Sequence, residues 1–148
     1  MTQKNTHYMF AYGMNTNVDS MSYRCPLARL VGTGTLDNFV LDFRYHADVS
    51  YKHGQKTVGV VWEMSDSDME AMDKFEGRPY YYGRIKAPVI VGTELYNSWV
   101  YVMKDKSYVE RPSNEYFISV LEGYKENDVP ISQLFSAVER IGMFKNES

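Results

Sequence analysis

The sequence predicts a single α+β domain, and three observations carry that expectation. Short apolar runs rich in β-branched residues fill much of the first hundred positions. A clear helical period of apolar residues interrupts them at 65–77 and returns beyond Pro112. Regular strand–helix alternation, the mark of a doubly wound sheet, is missing. The 148 residues fit one domain, 1–148, long enough to bury a sizeable core.

Tyr8-Met9-Phe10-Ala11-Tyr12 is an apolar run that stops at Gly13, so it reads as a buried strand and a tight turn. Met14 to Ala28 mixes polar and apolar residues, giving a loop, a short helix and a break at Pro26. Phe39 to Tyr45 partly alternates as a strand, and Ala47 to Val49 extend it. Lys52 to Lys56 forms a turn. Thr57 to Met64 is continuous and β-branched, a strand buried on both faces. Ser65 with Asp68 matches a capping box, Met69, Met72 and Phe75 recur every third position, and Gly77 suits a C-cap. Two strands follow, Ile85–Val91 and Leu95–Met103, joined through Gly92-Thr93. Ser113 opens a second helix with Tyr116, Phe117, Val120 and Leu121 inward, ending near Gly123. Pro130 opens a third, with an apolar stripe of Ile131, Leu134, Phe135, Val138 and Ile141.

Composition narrows the function. A net charge of −3 and scattered cations argue against a nucleic-acid partner. No apolar run approaches the roughly 20 residues of a spanning helix, so no membrane role is expected. Met1 to Thr6 is polar, a signal peptide is not expected, and the cytoplasm is the expected location. The single Cys25 excludes an internal disulfide or a Cys-rich zinc site, and nothing around it suggests an activated thiol. Thirteen tyrosines either line a ligand pocket or fill a core and a homodimer face. His46, Asp48 and His53 are the nearest approach to a metal set, but Lys52 and Lys56 oppose a cation there, so no metal is expected. Asp42 with Asp48 is a weak glycosidase-like pair.

Glu76 is the informative residue. At about 100° per residue it falls within the arc of Met69, Met72 and Phe75, opposite Ser67, Glu70 and Lys74. A carboxylate on an inward face is costly unless paired or used. Burial and the negative helix end both disfavour its anion and raise its pKa, as a general base working near neutrality requires. The structural alternatives are a frayed last turn that releases Glu76 to solvent, or an ion pair with Arg78 or Arg84. The second feature is Tyr12-Gly13-Met14-Asn15. Gly13 permits backbone conformations closed to other residues, and exposed amides in such a turn can hold an anion. A helix beginning near Asn15 or Thr16 would add its own N–H groups.

In order and spacing, these pieces resemble the γ-glutamylcyclotransferase family from Tyr8 to Gly142. The matching motifs are Phe10-Ala11-Tyr12-Gly13-Met14-Asn15 for F-A-Y-G-S-N, Gly59 to Met64 for G-V-V-W-x-M, and Met72 to Gly77 for L-D-x-x-E-G. Tyr101-Val102-Met103 matches Y-L-M, and Pro112 to Ile141 the closing helices. The resemblance implies a small mixed β-barrel with surrounding helices. It implies that Glu76 is the catalytic acid–base residue, that Tyr12, Gly13, Met14 and Asn15 bind the γ-glutamyl group, and that Tyr101 lies beside it. Met14 departs from the usual Ser, which removes a hydroxyl but leaves a backbone donor.

The implied reaction is cyclisation of a γ-glutamyl amide to 5-oxoproline, without metal or organic cofactor. Two rivals stand beside it. One is a protein that binds a small molecule in the same pocket without turnover. The other is an interaction module built on Tyr80, Tyr81 and Tyr82, which would show a flat aromatic surface and no cavity near Glu76.

Overall fold

A computed structural model describes residues 5–147. Among the described residues five strands close into a barrel: β1 (His7–Ala11), β2 (Arg29–Arg44), β3 (His46–Met64), β4 (Tyr82–Val91) and β5 (Glu94–Met103). Around the barrel the order is β1-β3-β2-β4-β5. Every neighbouring pair is antiparallel except β1 and β5, which close the barrel in parallel with Met9 opposite Trp99 and Phe10 opposite Val100. Phe10, Leu41, Phe43, Val60, Val89 and Val100 are fully buried in the barrel core. The helices α1 (Val18–Arg24), α2 (Asp66–Phe75), α3 (Asn114–Glu126) and α4 (Ser132–Glu147) complete the mixed α+β fold.

Several elements differ from the sequence expectation, each for a local reason. Residues 29–38 are strand as well. Gly32 and Gly34 dilute the β signal there, and pairing with β3 overrides it. Ala47 to Val49 do not extend the preceding strand but run back beside it. Tyr45, at φ 66°, reverses the chain, and its N–H donates to the Glu110 carbonyl at 3.0 Å. The turn expected at Lys52–Lys56 is an outward bulge within β3. The ladder skips from Asp37 opposite Lys56 to Phe39 opposite Tyr51, and Gly54 N–H donates to the Asn38 side chain at 3.0 Å.

The helix punctuation follows the sequence closely. Ser65 and Asp68 form a reciprocal capping box on α2. At the other end Gly77, at φ 65°, lets its own N–H reach the Lys74 carbonyl and that of Arg78 reach Asp73, a Schellman arrangement. Met69 and Met72 are buried, but Phe75 is half-exposed. Among the described side chains of α4, Leu134, Ala137 and Ile141 are buried. Ile131 and Phe135 lie largely outward, so the stripe is narrower than expected.

Helix α3 runs on past Gly123, where the sequence suggested a stop. Gly123 is there for space. A Cβ on it would collide with Thr16 Oγ1 and stand 2.6 Å from Asn17 N. The backbone of residues 16–17 thus lies directly against α3. Asn127 Nδ2 donates to the Thr16 carbonyl at 2.8 Å, Asn17 Nδ2 to the Ser119 carbonyl at 3.0 Å, and Tyr124 OH to the Tyr12 carbonyl at 2.6 Å. Gly123→Ala should therefore destabilise the protein by about 1–3 kcal/mol, as overpacking against backbone does. Urea unfolding measures this, and a wild-type midpoint would show that α3 does not clamp the 12–17 turn.

Candidate active site

The segment leaving β1 turns sharply at Gly13, forms a 3-10 turn over Met14–Thr16, then enters α1. Gly13 has φ −125° and ψ −127°, neither helical nor extended and not left-handed. The constraint is space: a Cβ there would stand 2.9 Å from Ala47 Cβ and 3.1 Å from the Tyr116 hydroxyl. Asn15 is buried and fully engaged. Its carbonyl accepts the Trp62 indole N–H at 2.9 Å, and its Oδ1 accepts from Arg24 Nη1 at 2.8 Å. Its Nδ2 donates to Glu76 Oε1 at 3.0 Å. Arginine only donates and a carboxylate only accepts, so the Asn15 amide orientation follows from its partners. The N–H groups of Gly13 and Asn15 find no acceptor among the described residues.

Glu76 is the C-cap of α2, and it lines a cavity of about 170 Å³ that also touches Tyr12, Gly13, Met14, Asn15 and Tyr101. Glu76 and the five residues expected to bind beside it therefore line one pocket. Desolvation raises the Glu76 pKa, while Arg24 and the Asn15 hydrogen bond oppose the rise. The expected alternative partners are committed elsewhere. Arg78 Nη1 bonds Asp73 at 3.0 Å, and Arg84 Nε lies 3.2 Å from Asp73, close enough to pair charges but off the hydrogen-bonding direction. The cation nearest Glu76 is Arg24, at 3.9 Å, with its guanidinium over the Phe75 ring. Sequence reasoning missed Arg24. It sits on a seven-residue helix with no motif signal, and only the fold sets it beside Glu76.

Tyr101 contributes a wall rather than a free hydroxyl, since its OH donates to Asp73 at 2.6 Å and its carbonyl accepts the Tyr12 OH at 2.5 Å. Burial raises both phenols well above the usual range, so they remain protonated. Tyr81, His46 and Tyr116 also line the cavity; the sequence pointed to them only as part of an aromatic run, of a candidate metal set and of an inward helix face. Tyr80 is almost fully exposed, Tyr81 is half-exposed and Tyr82 is buried, so the aromatic run divides between surface and pocket. That division and the cavity at Glu76 are not what an interaction module with a flat aromatic surface would show.

The weaker sequence candidates are placed differently. Asp48 is buried and neutralised by Arg44 Nε at 3.0 Å and Lys106 Nζ at 2.6 Å, and it accepts the Met103 N–H at 2.8 Å. Asp42 stands across the ladder from it and pairs with Arg140 at 3.3 Å. Both carboxylates brace strands. His46 Nδ1 faces the Tyr81 hydroxyl at 2.7 Å. Burial pushes the Cys25 thiol up to about 11, against nucleophilic use.

A small closed barrel with a glycine turn beside an inward glutamate defines a γ-glutamylcyclotransferase-like protein. Comparison with known proteins agrees. The family described as "Gamma-glutamyl cyclotransferase, AIG2-like" matches residues 9–119, and the chain belongs to it. The Mus musculus gamma-glutamylcyclotransferase is 30% identical over 140 residues, covering 84% of this chain and 73% of its own length. The Bos taurus protein of the same name is 31% identical over 137 residues, covering 82% and 72%. A solved structure of a gamma-glutamyl cyclotransferase superposes with a TM-score of 0.79 at 25% identity, over 90% of this chain and 86% of that one. No helix among the described residues is long and apolar enough to cross a membrane.

The raised Glu76 pKa has a consequence for stability. Between the ordinary carboxylate pKa and the raised one, the folded protein binds more protons than the unfolded chain, so stability falls as pH rises through that window. Glu76→Gln removes this loss. The variant should melt higher than wild type at pH 7, and the gap should close below about pH 4, the ordinary glutamate range. Thermal melts across pH check this, and a variant that melts lower at pH 7 would mean the Asn15 and Arg24 contacts outweigh desolvation.

Proposed function

We propose that this chain cyclises a γ-glutamyl amide, an amino-acid or amine conjugate, to 5-oxoproline and the free amine, with Glu76 as general acid and base. The observation that carries the reading is the Glu76 carboxylate lining the cavity, oriented by Asn15 at 3.0 Å and shifted upward by burial. An α-ammonium titrates at about 8, so raising the carboxyl toward that value brings the two closer and eases proton transfer.

The chemistry needs no protein nucleophile. Glu76 takes a proton from the substrate α-ammonium and frees its lone pair. The nitrogen attacks the γ-carbon, and the carbonyl electron pair moves to oxygen. Glu76 then gives its proton to the leaving nitrogen as that C–N bond breaks. The second proton on the new lactam nitrogen leaves through Glu76 to the released amine. Folding the glutamyl chain into attack geometry supplies much of the rate. The free N–H groups of Gly13 and Asn15 suit an anionic group of the substrate, and Met14 keeps a backbone N–H where a Ser hydroxyl is usual.

Three variants test the reading, assayed against a panel of γ-glutamyl amino acids and amines with 5-oxoproline read by mass spectrometry. Glu76→Gln should lower turnover by roughly 10²–10⁴-fold in a folded protein that still binds substrate. Glu76→Asp keeps the charge and shortens the reach, so a partial loss would report geometry. Saturable binding of these compounds by the wild type, with no 5-oxoproline from any of them, would instead make this a binding protein.

Met14 gives a separate test. Met14→Ser should keep or broaden activity, because the side chain contributes no required donor. Met14→Pro should abolish it by removing the N–H and constraining the turn. Equal activity in the two variants would mean that the turn does not hold substrate.

A further inference from the structure

Two arginines meet Asp73 directly, whereas the carboxylate that ends the same helix meets its arginine through an amide. Arg78 Nη1 and Arg84 Nε stand 3.0 and 3.2 Å from Asp73. Between Arg24 and Glu76 lies the Asn15 side chain. Its Oδ1 accepts from Arg24 Nη1 at 2.8 Å, and its Nδ2 donates to Glu76 Oε1 at 3.0 Å. The same Nδ2 donates to Met72 Sδ at 3.4 Å, so the amide nitrogen faces α2 through both contacts. Arg24 itself stays 3.9 Å from Oε1. Among the described residues nothing bonds Glu76 Oε2.

Arg24 is held for this contact from three sides. It closes the last turn of α1, and the next residue, Cys25, is buried and donates through Sγ to the Asp68 carbonyl of α2 at 3.5 Å. Its guanidinium lies 5.0 Å over the Phe75 ring, which stays half-exposed beneath it. Its Nη1 takes the Asn15 oxygen. A turned amide would present its oxygen to the carboxylate and its NH₂ to the guanidinium, two repulsive contacts in place of two charge-assisted bonds. Other groups at the cavity carry no charge. Tyr12, Tyr81, Tyr82, Tyr101 and Tyr116 approach from the ends of β1, β4 and β5 and from α3, and burial keeps their phenols protonated. His46, at the start of β3, is kept neutral by burial and by Arg24. Among the described residues that line the cavity, Arg24 is therefore the one cation facing Glu76.

We propose that Arg24 is a positioning residue for cyclisation: it locks the Asn15 amide so that Nδ2 holds Glu76 Oε1, and so leaves Oε2 as the oxygen that takes and returns the substrate proton. The inference rests on the cyclotransferase reading above and adds to it how the base is aimed. Arg24 acts on the reaction only through Asn15 and the Glu76 carboxylate. Direct capture, as at Asp73, would occupy the carboxylate and hold it as an anion. An interposed amide orients it and keeps the cation one step back, where it offsets part of the desolvation without forming the bond. One oxygen is then fixed and the other is aimed, which is what a single group serving as both base and acid needs.

Steady-state kinetics across pH on the best γ-glutamyl substrate test this with Arg24→Met and Arg24→Lys. On the pH plateau Arg24→Met should lower kcat roughly 10–10²-fold, with KM within about threefold of wild type. The acid limb of its kcat/KM profile should move up by about one pH unit, because Glu76 loses its cation. Arg24→Lys keeps the charge without the planar fork, so its acid limb should stay in place while part of the kcat loss remains. Adding Arg24→Met to Asn15→Ala should cost less than about threefold further on the plateau, since the amide it acts through is gone. Losses that multiply independently in the double variant would overturn the proposal, as would a wild-type kcat and acid limb in Arg24→Met. A KM raised only for amino-acid conjugates, with amine conjugates unaffected, would assign Arg24 to a leaving-group carboxylate and overturn it. An Arg24→Met that fails to fold, beside a folded Arg24→Lys with wild-type kcat, would make Arg24 a brace for α1 and overturn it too. Melting gives a readout independent of turnover. In the Arg24→Met background the stability gained by Glu76→Gln at pH 7 should exceed the gain in wild type, since Glu76 then holds its proton more tightly. A gain no larger than in wild type counts against Arg24. Absence of turnover in the wild type itself would overturn the cyclotransferase reading, an outcome distinct from an active wild type with an unimpaired Arg24→Met.

Discussion

The parallel pairing of β1 with β5 is the constraint on which the rest depends. Met9 opposite Trp99 and Phe10 opposite Val100 close a barrel whose other contacts are all antiparallel. That closure carries the β1 exit onto the end of β5, where the Tyr12 hydroxyl meets the Tyr101 carbonyl. On the other side β1 pairs along β3, with Phe10 opposite Val61. Chain leaving β3 therefore enters α2 and returns its C-terminal turn to the same end of the barrel. Asn15 and Glu76 lie 61 positions apart in the chain yet share a hydrogen bond. Helix α3 then holds the turn from behind through Ser119, Tyr124 and Asn127.

Two carboxylates three residues apart on α2 are given opposite environments. Asp73 collects Arg78, Arg84 and the Tyr101 hydroxyl, so its charge is neutralised and the helix is tied to β4 and β5. Glu76 receives one amide and an arginine at 3.9 Å, and desolvation prevails. Pairing fixes the charge of the first, and burial raises the pKa of the second. The Trp62 indole, donated from β3 to the Asn15 carbonyl, links this tuning to the barrel wall.

Sequence resemblance and physical reading reached the pocket together because both rest on local signals. The capping box at Ser65, the stop at Gly77 and the helical spacing of Met69, Met72 and Glu76 lie within one short segment. Likewise the run from Tyr8 to Gly13 declares a buried strand and a turn without reference to the rest of the chain. Where the reading failed, the deciding contacts were distant. Residues 29–38 become strand through β3, Phe75 is left half-exposed under Arg24, and Gly123 stays helical because the 16–17 backbone needs its space.

By itself the sequence determined the mixed architecture, the inward glutamate and the glycine turn, since helix period, strand period and capping chemistry depend on neighbours within a few residues. Tertiary structure alone decided which groups surround that glutamate. Arg24 rather than Arg78 or Arg84 stands nearest to it, Asn15 turns its side chain to the carboxylate, and Tyr116 arrives from a helix 40 residues further along the chain. The physical reason is that local periodicity fixes which face a side chain occupies, whereas barrel closure fixes what that face meets.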